Sequence, residues 1–242
     1  MPLPVINETL TYNITIPSTK ETYEFRPYYV REEKVLLIAY ESKDQGEILN
    51  ALKNTIVNCC TTPIAVDKLA LFDMEHIFIQ IRARSVGESA DLNVTCQHEN
   101  EDGSKCGEIN KVEINLLDIK MEPLPDNNIK LSDHYTIVMR FPSYKDALEI
   151  TTNMQEESAV NILFNIAARC IDNVKSNEER FDFSEYSLSE IEEWMNKLKP
   201  IQLEKMLGFI KQIPEMYYNL EYTCTKCKSF NSHTLRGITD FF

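Results

Sequence analysis

The run Leu10-Thr11-Tyr12-Asn13-Ile14-Thr15-Ile16 alternates large and polar residues with a period of two, as a half-buried strand does. Pro17-Ser18-Thr19-Lys20 marks a turn, and Thr22-Tyr23-Glu24-Phe25-Arg26 resumes the alternation, which predicts an N-terminal β-hairpin. Pro27-Tyr28-Tyr29 ends it. The period then lengthens. Glu32 to Glu41 reads as a helix whose centre is apolar nearly all round, which predicts burial. Asp44 with Glu47 three residues on has the capping-box pattern, and Ile48, Leu49, Leu52, Ile56 and Val57 follow at helical spacing as far as Cys59-Cys60. From Leu69 to Glu88 a third helix is predicted. It has Asp73 and Glu75 in its first turn, Arg82 and Arg84 in its last, an apolar stripe of Met74, Ile77, Phe78 and Ile81, and Gly87 as its stop.

Beyond a polar stretch, Glu108 to Leu116 alternates as a strand, and Met121 to Asn128 is a Pro/Asn-rich linker. Ile129-Lys130-Leu131 and Tyr135 to Phe141 read as strands, and Pro142 opens a helix over Ser143 to Ile150. Glu156 to Ile171 is helical by pattern, with Val160, Leu163, Phe164, Ala167, Ala168 and Cys170 on one side. Asn173 to Tyr186 is polar and acidic and reads as an exposed loop. Ser189 and Glu192 form a capping box ahead of Ile191, Trp194, Met195 and Leu198, and Trp194 is read as core. A second short helix starts at Pro200 with Leu203, Met206, Leu207 and Ile210 inward, which makes a helical hairpin about Lys199-Pro200. Met216 to Cys224 and Ser229 to Leu235 are strands. The terminal Phe241-Phe242 pair either docks in the core or is offered to a partner. The predicted class is α+β. It comprises a hairpin-plus-helix domain over residues 1–90, a split zinc-ribbon-like module over 91–116 and 215–242, and an α/β to helical insertion over 129–214.

That split module rests on cysteine spacing. Val94-Thr95 leads into Cys96, and a polar loop runs to Lys105-Cys106-Gly107. Tyr222-Thr223 leads into Cys224-Thr225-Lys226-Cys227. Cys224-x-x-Cys227 has the standard spacing of metal ligands, two thiolates at the tip of a β-hairpin, and Cys96 and Cys106 make a wider version. One tetrahedral zinc ion shared by Cys96, Cys106, Cys224 and Cys227 requires the last twenty residues to fold back on the middle of the chain. His98 is a spare ligand. Reduced structural thiols, a disulfide or a site without metal are the other readings of the same residues. Cys59, Cys60 and Cys170 are read as core-lining.

Hydrophobic content of 43% and charged content of 26% are those of an ordinary globular protein, and six glycines argue against a barrel of many tight turns. Met1-Pro2-Leu3-Pro4 has neither the basic region nor the apolar core of a secretion signal, and the longest apolar run, Val35 to Tyr40, is too short to span a bilayer. The Asn-x-Thr triplets at Asn7, Asn13 and Asn93 therefore carry no weight as glycosylation sites, and seven cysteines in a reducing compartment favour metal over disulfide. The net charge of −13 argues against nucleic acid as a partner, since phosphate neutralisation needs a basic surface. No phosphate loop, nucleophile elbow or His-Glu-x-x-His is present. His76, His98, His134 and His233 are scattered, His76 reading as a partly exposed helix residue. Glu32-Glu33, Glu156-Glu157 and Glu192-Glu193 read as solvated helix faces. A four-thiolate zinc is a closed, structural site. The expectation is a non-enzymatic interaction protein.

Several segments carry a family resemblance: Leu3-Pro4 and the hairpin after it, Phe25-Arg26-Pro27-Tyr28, Val30-Arg31-Glu32-Glu33-Lys34, Leu71-Phe72-Asp73-Met74-Glu75-His76-Ile77-Phe78, and Gln80-Ile81-Arg82-Ala83-Arg84-Ser85-Val86-Gly87-Glu88. They resemble the baseplate hub proteins of T-even-like, contractile-tailed bacteriophages, closely over about residues 3–115 and more loosely beyond. The resemblance implies a virion-assembly role with no known catalysis. It implies other hub and tail proteins as partners, with neither nucleic acid nor membrane. It places the chain in the host cytoplasm during assembly and possibly in the tail baseplate. Within it, a structural hub subunit and an assembly factor absent from the mature particle are both open. An acidic zinc-ribbon adaptor in transcription or replication is the reading from outside the family.

Overall fold

A computed structural model describes residues 10–100, 102–153, 158–176 and 178–241. Leu3-Pro4, Asn7, Glu156-Glu157 and Phe242, each used above, lie outside the described residues. The hairpin is present as β1 (Tyr12–Thr15) and β2 (Thr22–Phe25), paired Tyr12 to Phe25 through Thr15 to Thr22. Three helices follow: α1 (Val30–Ser42), α2 (Gln45–Cys59) and α3 (Leu71–Ser85). Asp44 caps α2 by accepting the Glu47 backbone N–H at 2.9 Å. Ile14, Ile16, Phe25, Leu36, Leu52, Ile56, Met74, Ile77 and Ile81 close one core.

The helix α3 is the hub of the fold because it is apolar on two faces. Met74, Ile77 and Ile81 face the first core. Ile79 and Ala83 face a second, made with Ala90, Leu92 and Ile114 of the β3 (Ser89–Thr95) and β4 (Ile109–Asn115) hairpin and with Met216 and Leu220 of β10 (Met216–Thr223). At its start, buried Asp73 accepts from the Ser18 backbone N–H at 2.9 Å and from the Ser18 hydroxyl, tying the β1–β2 turn to the helix.

β10 pairs antiparallel with β11 (Phe230–Arg236) on one side and with β5 (Lys120–Met121) on the other. Met121 opposite Met216 brings together the two ends of a long excursion. That excursion holds the four-stranded antiparallel sheet β6 (Asn128–Lys130), β7 (Thr136–Met139), β8 (Ile171–Lys175) and β9 (Arg180–Asp182). It also holds α4 (Tyr144–Asn153), α5 (Ala159–Arg169), α6 (Leu188–Met195) and α7 (Pro200–Ile210). Most of it forms a third core around Ile137, Met139, Ala167, Ala168, Ile191, Met195, Met206 and Phe209. α4 differs: Tyr144 is buried in the first core, and its hydroxyl donates to Asn50 Oδ1 at 2.6 Å. The class is mixed α+β. No helix among the described residues is long and apolar enough to cross a membrane.

The structure corrects the sequence reading in several places. α1 is not buried all round. Leu36 and Ala39 face the core, while Leu37 and Ile38 are 60% and 56% exposed, because only one side of the helix meets α2 and the hairpin. Glu32, expected on a solvated face, is buried against Arg26 (3.0 Å) and the Tyr29 backbone N–H (2.8 Å). Residues 173–186 are not a loop, since β8 and β9 pair Asn173 with Asp182 through Lys175 with Arg180. The helix before them ends at Arg169, where buried Cys170 caps it and Ile171 begins β8. The cap of α6 lies two residues earlier than expected: Ser187 and Glu190 form the reciprocal box, with Ser187 N donating to Glu190 at 2.8 Å.

Candidate metal centre

Strands β3 and β4 deliver Cys96 and Cys106 to the tip of one hairpin, and β10 and β11 deliver Cys224 and Cys227 to the tip of another. The four Sγ atoms lie within 4.8 Å of one another. Two separations between the hairpins are 3.7 Å, from Cys96 to Cys227, and 3.9 Å, from Cys106 to Cys224. Tetrahedral zinc with Zn–S bonds of about 2.3 Å sets sulfurs about 3.8 Å apart, and these two separations match that spacing. Cys96 and Cys224 are fully buried, and Cys106 and Cys227 are half-buried. His98 is exposed and is not among the mutually close donor atoms. Its backbone carbonyl accepts from Cys106 N at 2.8 Å.

The two turns are built alike although one spans nine intervening residues and the other two. Cys96 N donates to Glu108 O at 2.8 Å, and Cys224 N donates to Ser229 O at 3.0 Å. Gly107 N returns to Cys96 O at 3.2 Å, and Lys228 N to Cys224 O at 3.1 Å. Gly107 and Lys228 both take the left-handed conformation, at φ +65° and +62°. Glycine does so freely, whereas Lys228 is held there by its turn.

Two buried asparagines complete the correspondence, each four residues after the second cysteine of its turn. Asn110 Nδ2 donates to Glu108 O at 3.1 Å and to Cys224 Sγ at 3.6 Å, while its Oδ1 accepts from Thr225 N at 2.8 Å. Asn231 Nδ2 donates to Ser229 O at 2.9 Å, and its Oδ1 accepts from the Cys96 thiol at 3.4 Å. Each asparagine thus reaches across to the other hairpin's first cysteine. The sequence reading missed both. The signal available was an asparagine, poor in strands, at an inward position of each outgoing strand.

At the second hairpin the contacts favour thiolate. Burial works against ionisation of Cys224, but the backbone N–H groups of Cys227 and Lys226 and the Asn110 amide outweigh it and bring the thiol down to about 6. Ser229 lowers Cys227 through its hydroxyl and its backbone N–H. At Cys106 the Glu108 backbone N–H favours the thiolate, yet burial and the neighbouring thiols push it up to about 11. A divalent ion binding four such thiols would displace their remaining protons. The other three cysteines differ. Burial pushes Cys59 up to about 11 and Cys170 to about 12, which marks inert core thiols, and Cys60 is half-buried beside Thr62.

A family model described as T4 bacteriophage base plate protein matches residues 9–242. The chain is 24% identical over 220 residues, covering 90% of each partner, to the baseplate hub assembly protein gp26 of Enterobacteria phage T4. No solved structure matches the chain.

Proposed function

The chain belongs to the T4 bacteriophage base plate protein family, and from that premise we propose that it is a non-enzymatic interaction protein of the phage tail baseplate hub. The match along almost the whole chain carries this reading. Its partners are other hub and tail proteins, and it works in the host cytoplasm while tails assemble. Cys96, Cys106, Cys224 and Cys227 hold one structural zinc ion that joins the middle of the chain to its C-terminus. The donor set supports that assignment, because four thiolates close the coordination sphere and leave no position for substrate.

Quantitative mass spectrometry of purified phage particles tests the baseplate reading. Fixed copies in the low multiples of a hub would establish a structural subunit. A second reading is an assembly factor that leaves before maturation, and the T4 relative is called a hub assembly protein. It requires the chain to be abundant in infected-cell extracts and missing from particles. Absence from both would overturn the baseplate reading. Metal analysis of protein purified without added zinc tests the centre, with one zinc per chain expected.

A further inference from the structure

Helix α1 turns an apolar side to solvent. Among the described residues, four of the fifteen exposed large hydrophobic side chains belong to it, Val30, Val35, Leu37 and Ile38, and no other helix carries more than one. At about 100° per residue, Leu37 and Ile38 lie about 50° to either side of a common midline. Lys34 and Glu41 fall within about 10° of that midline, one turn before the apolar pair and one turn after it, and Val30 lies about 30° off. All five are exposed. Arg31 stands farther round on one flank, 2.6 Å from buried Glu32, and half-buried Glu33 on the other. Along its exposed strip the helix therefore presents a cation, an apolar pair and an anion, in that order.

That strip is its own complement. Lys34 has Val30, Arg31, Leu37 and Ile38 three or four residues away, and Glu41 has Leu37 and Ile38, so neither finds a counter-ion along its own helix. A second copy laid antiparallel, with a two-fold axis on the midline, sets Lys34 opposite the partner's Glu41 and Leu37 opposite the partner's Ile38. The symmetry makes each of these contacts twice. A parallel copy would set lysine on lysine and glutamate on glutamate. Any other occupant would have to carry the same charges in reverse order around an apolar centre, which this chain already does. We propose that α1 is a self-association surface, through which two copies of the chain pair antiparallel, α1 against α1. Thirteen residues of helix are about 20 Å long, so the contact is smaller than a standard interface and the dimer is weak and reversible. The pairing stands apart from both the thiol centre and the baseplate assignment.

Sedimentation equilibrium of the purified full chain from about 5 to 500 μM, the range expected of a small transient interface, tests it. The average mass is expected to climb towards that of two chains. Lys34→Glu and Glu41→Lys each turn both cross-pairs into repulsions and should weaken association at least about tenfold. The two reversals in one chain restore opposite signs across the axis and should return association to within about threefold of wild type. Leu37→Ser with Ile38→Ser should abolish it while Tm moves by no more than about 2 °C, since both positions are exposed. A chain that stays monomeric throughout the range overturns the proposal. So does a dimer that both single reversals leave intact, which would lie on another face. Failure of the double reversal to restore association overturns the antiparallel pairing.

Discussion

The β10–β11 hairpin is fastened at both ends, by thiols at its tip and by an apolar and carboxylate dock at its base. At the tip, Cys224 and Cys227 meet Cys96 and Cys106 of the other hairpin. At the base, Gly237 N donates to Met216 O at 3.0 Å and the chain turns into a short helical segment, Ile238–Phe241. Phe241 is fully buried against the α3 face, Ile238 is buried in the first core, and Glu75 of α3 accepts the Ile238 backbone N–H. Arg236 bridges Glu122 and Glu215 nearby. On the zinc proposal, one end depends on a ligand from solution and the other on the chain itself. The two should therefore fail separately and under different conditions.

The largest effect belongs to the tip. If zinc links the hairpins, Cys224→Ser, Cys227→Ser or a strong chelator should lower Tm by more than about 10 °C, because binding energy at a structural site is folding energy. Amide exchange should accelerate at the ends of β3, β4, β10 and β11 next to the cysteines and less around Phe241. A wild-type protein that contains no metal and melts unchanged in chelator would dispose of the zinc assignment. Next comes the base: Phe241→Ala removes a fully buried ring and should cost about 3–5 kcal/mol. That loss should be measurable by denaturant titration and should leave zinc content at one per chain.

The two fastenings were unequally legible in the sequence. The clustering of the four cysteines was legible because cysteine spacing at a hairpin tip is local, and Cys224-x-x-Cys227 can be read without knowing what lies opposite. The docking of Phe241 was left open, since whether a terminal aromatic is covered depends on α3, more than 150 residues away. The same limit explains α1, whose Leu37 and Ile38 look like core residues by composition and are more than half exposed. It also explains β8, where Asn173 is buried beside Val174 and the polar composition hides a strand defined by its partners on both sides. Asn110 and Asn231 were overlooked because their role appears only once two hairpins face each other.

A pH dependence sharpens the contrast. Burial lifts the Glu75 carboxyl to about 7 from an ordinary value of 4.5, against the Ile238 N–H and with Glu215 adding to the rise. Between those two values the folded state holds a proton that the unfolded chain has released, so stability falls as pH rises from about 4.5 to about 7 and is level above. The cost at pH 8 is on the order of 3 kcal/mol. Glu75→Gln keeps an acceptor for Ile238 while removing the charge. It should flatten that slope, raise stability at pH 8 and change nothing below pH 4. Thiolate ligation of a metal at the tip would have the opposite sign, since protons compete with the metal and acid weakens it. A slope in wild-type protein that survives Glu75→Gln unchanged would assign it elsewhere.

The smallest effect expected is at Arg236. Its guanidinium lies 2.7 Å from Glu122 Oε1 and 3.4 Å from Glu215 Oε2, but its side chain is 49% exposed, so water and salt screen both pairs. Arg236→Ala should therefore move Tm by no more than about 2 °C at physiological salt, and by nothing measurable in 0.5 M salt. A larger loss would mean that the base is held by charge as well as by Phe241. Removing Arg236 leaves Glu122, Glu215 and Glu75 with one cation fewer among them. In that case the Glu75→Gln variant should suppress the loss, and the double variant should be more stable at pH 8 than Arg236→Ala alone by more than the single Glu75→Gln gain. Strict additivity would confine the base to its apolar contacts and place Arg236 outside the fastening.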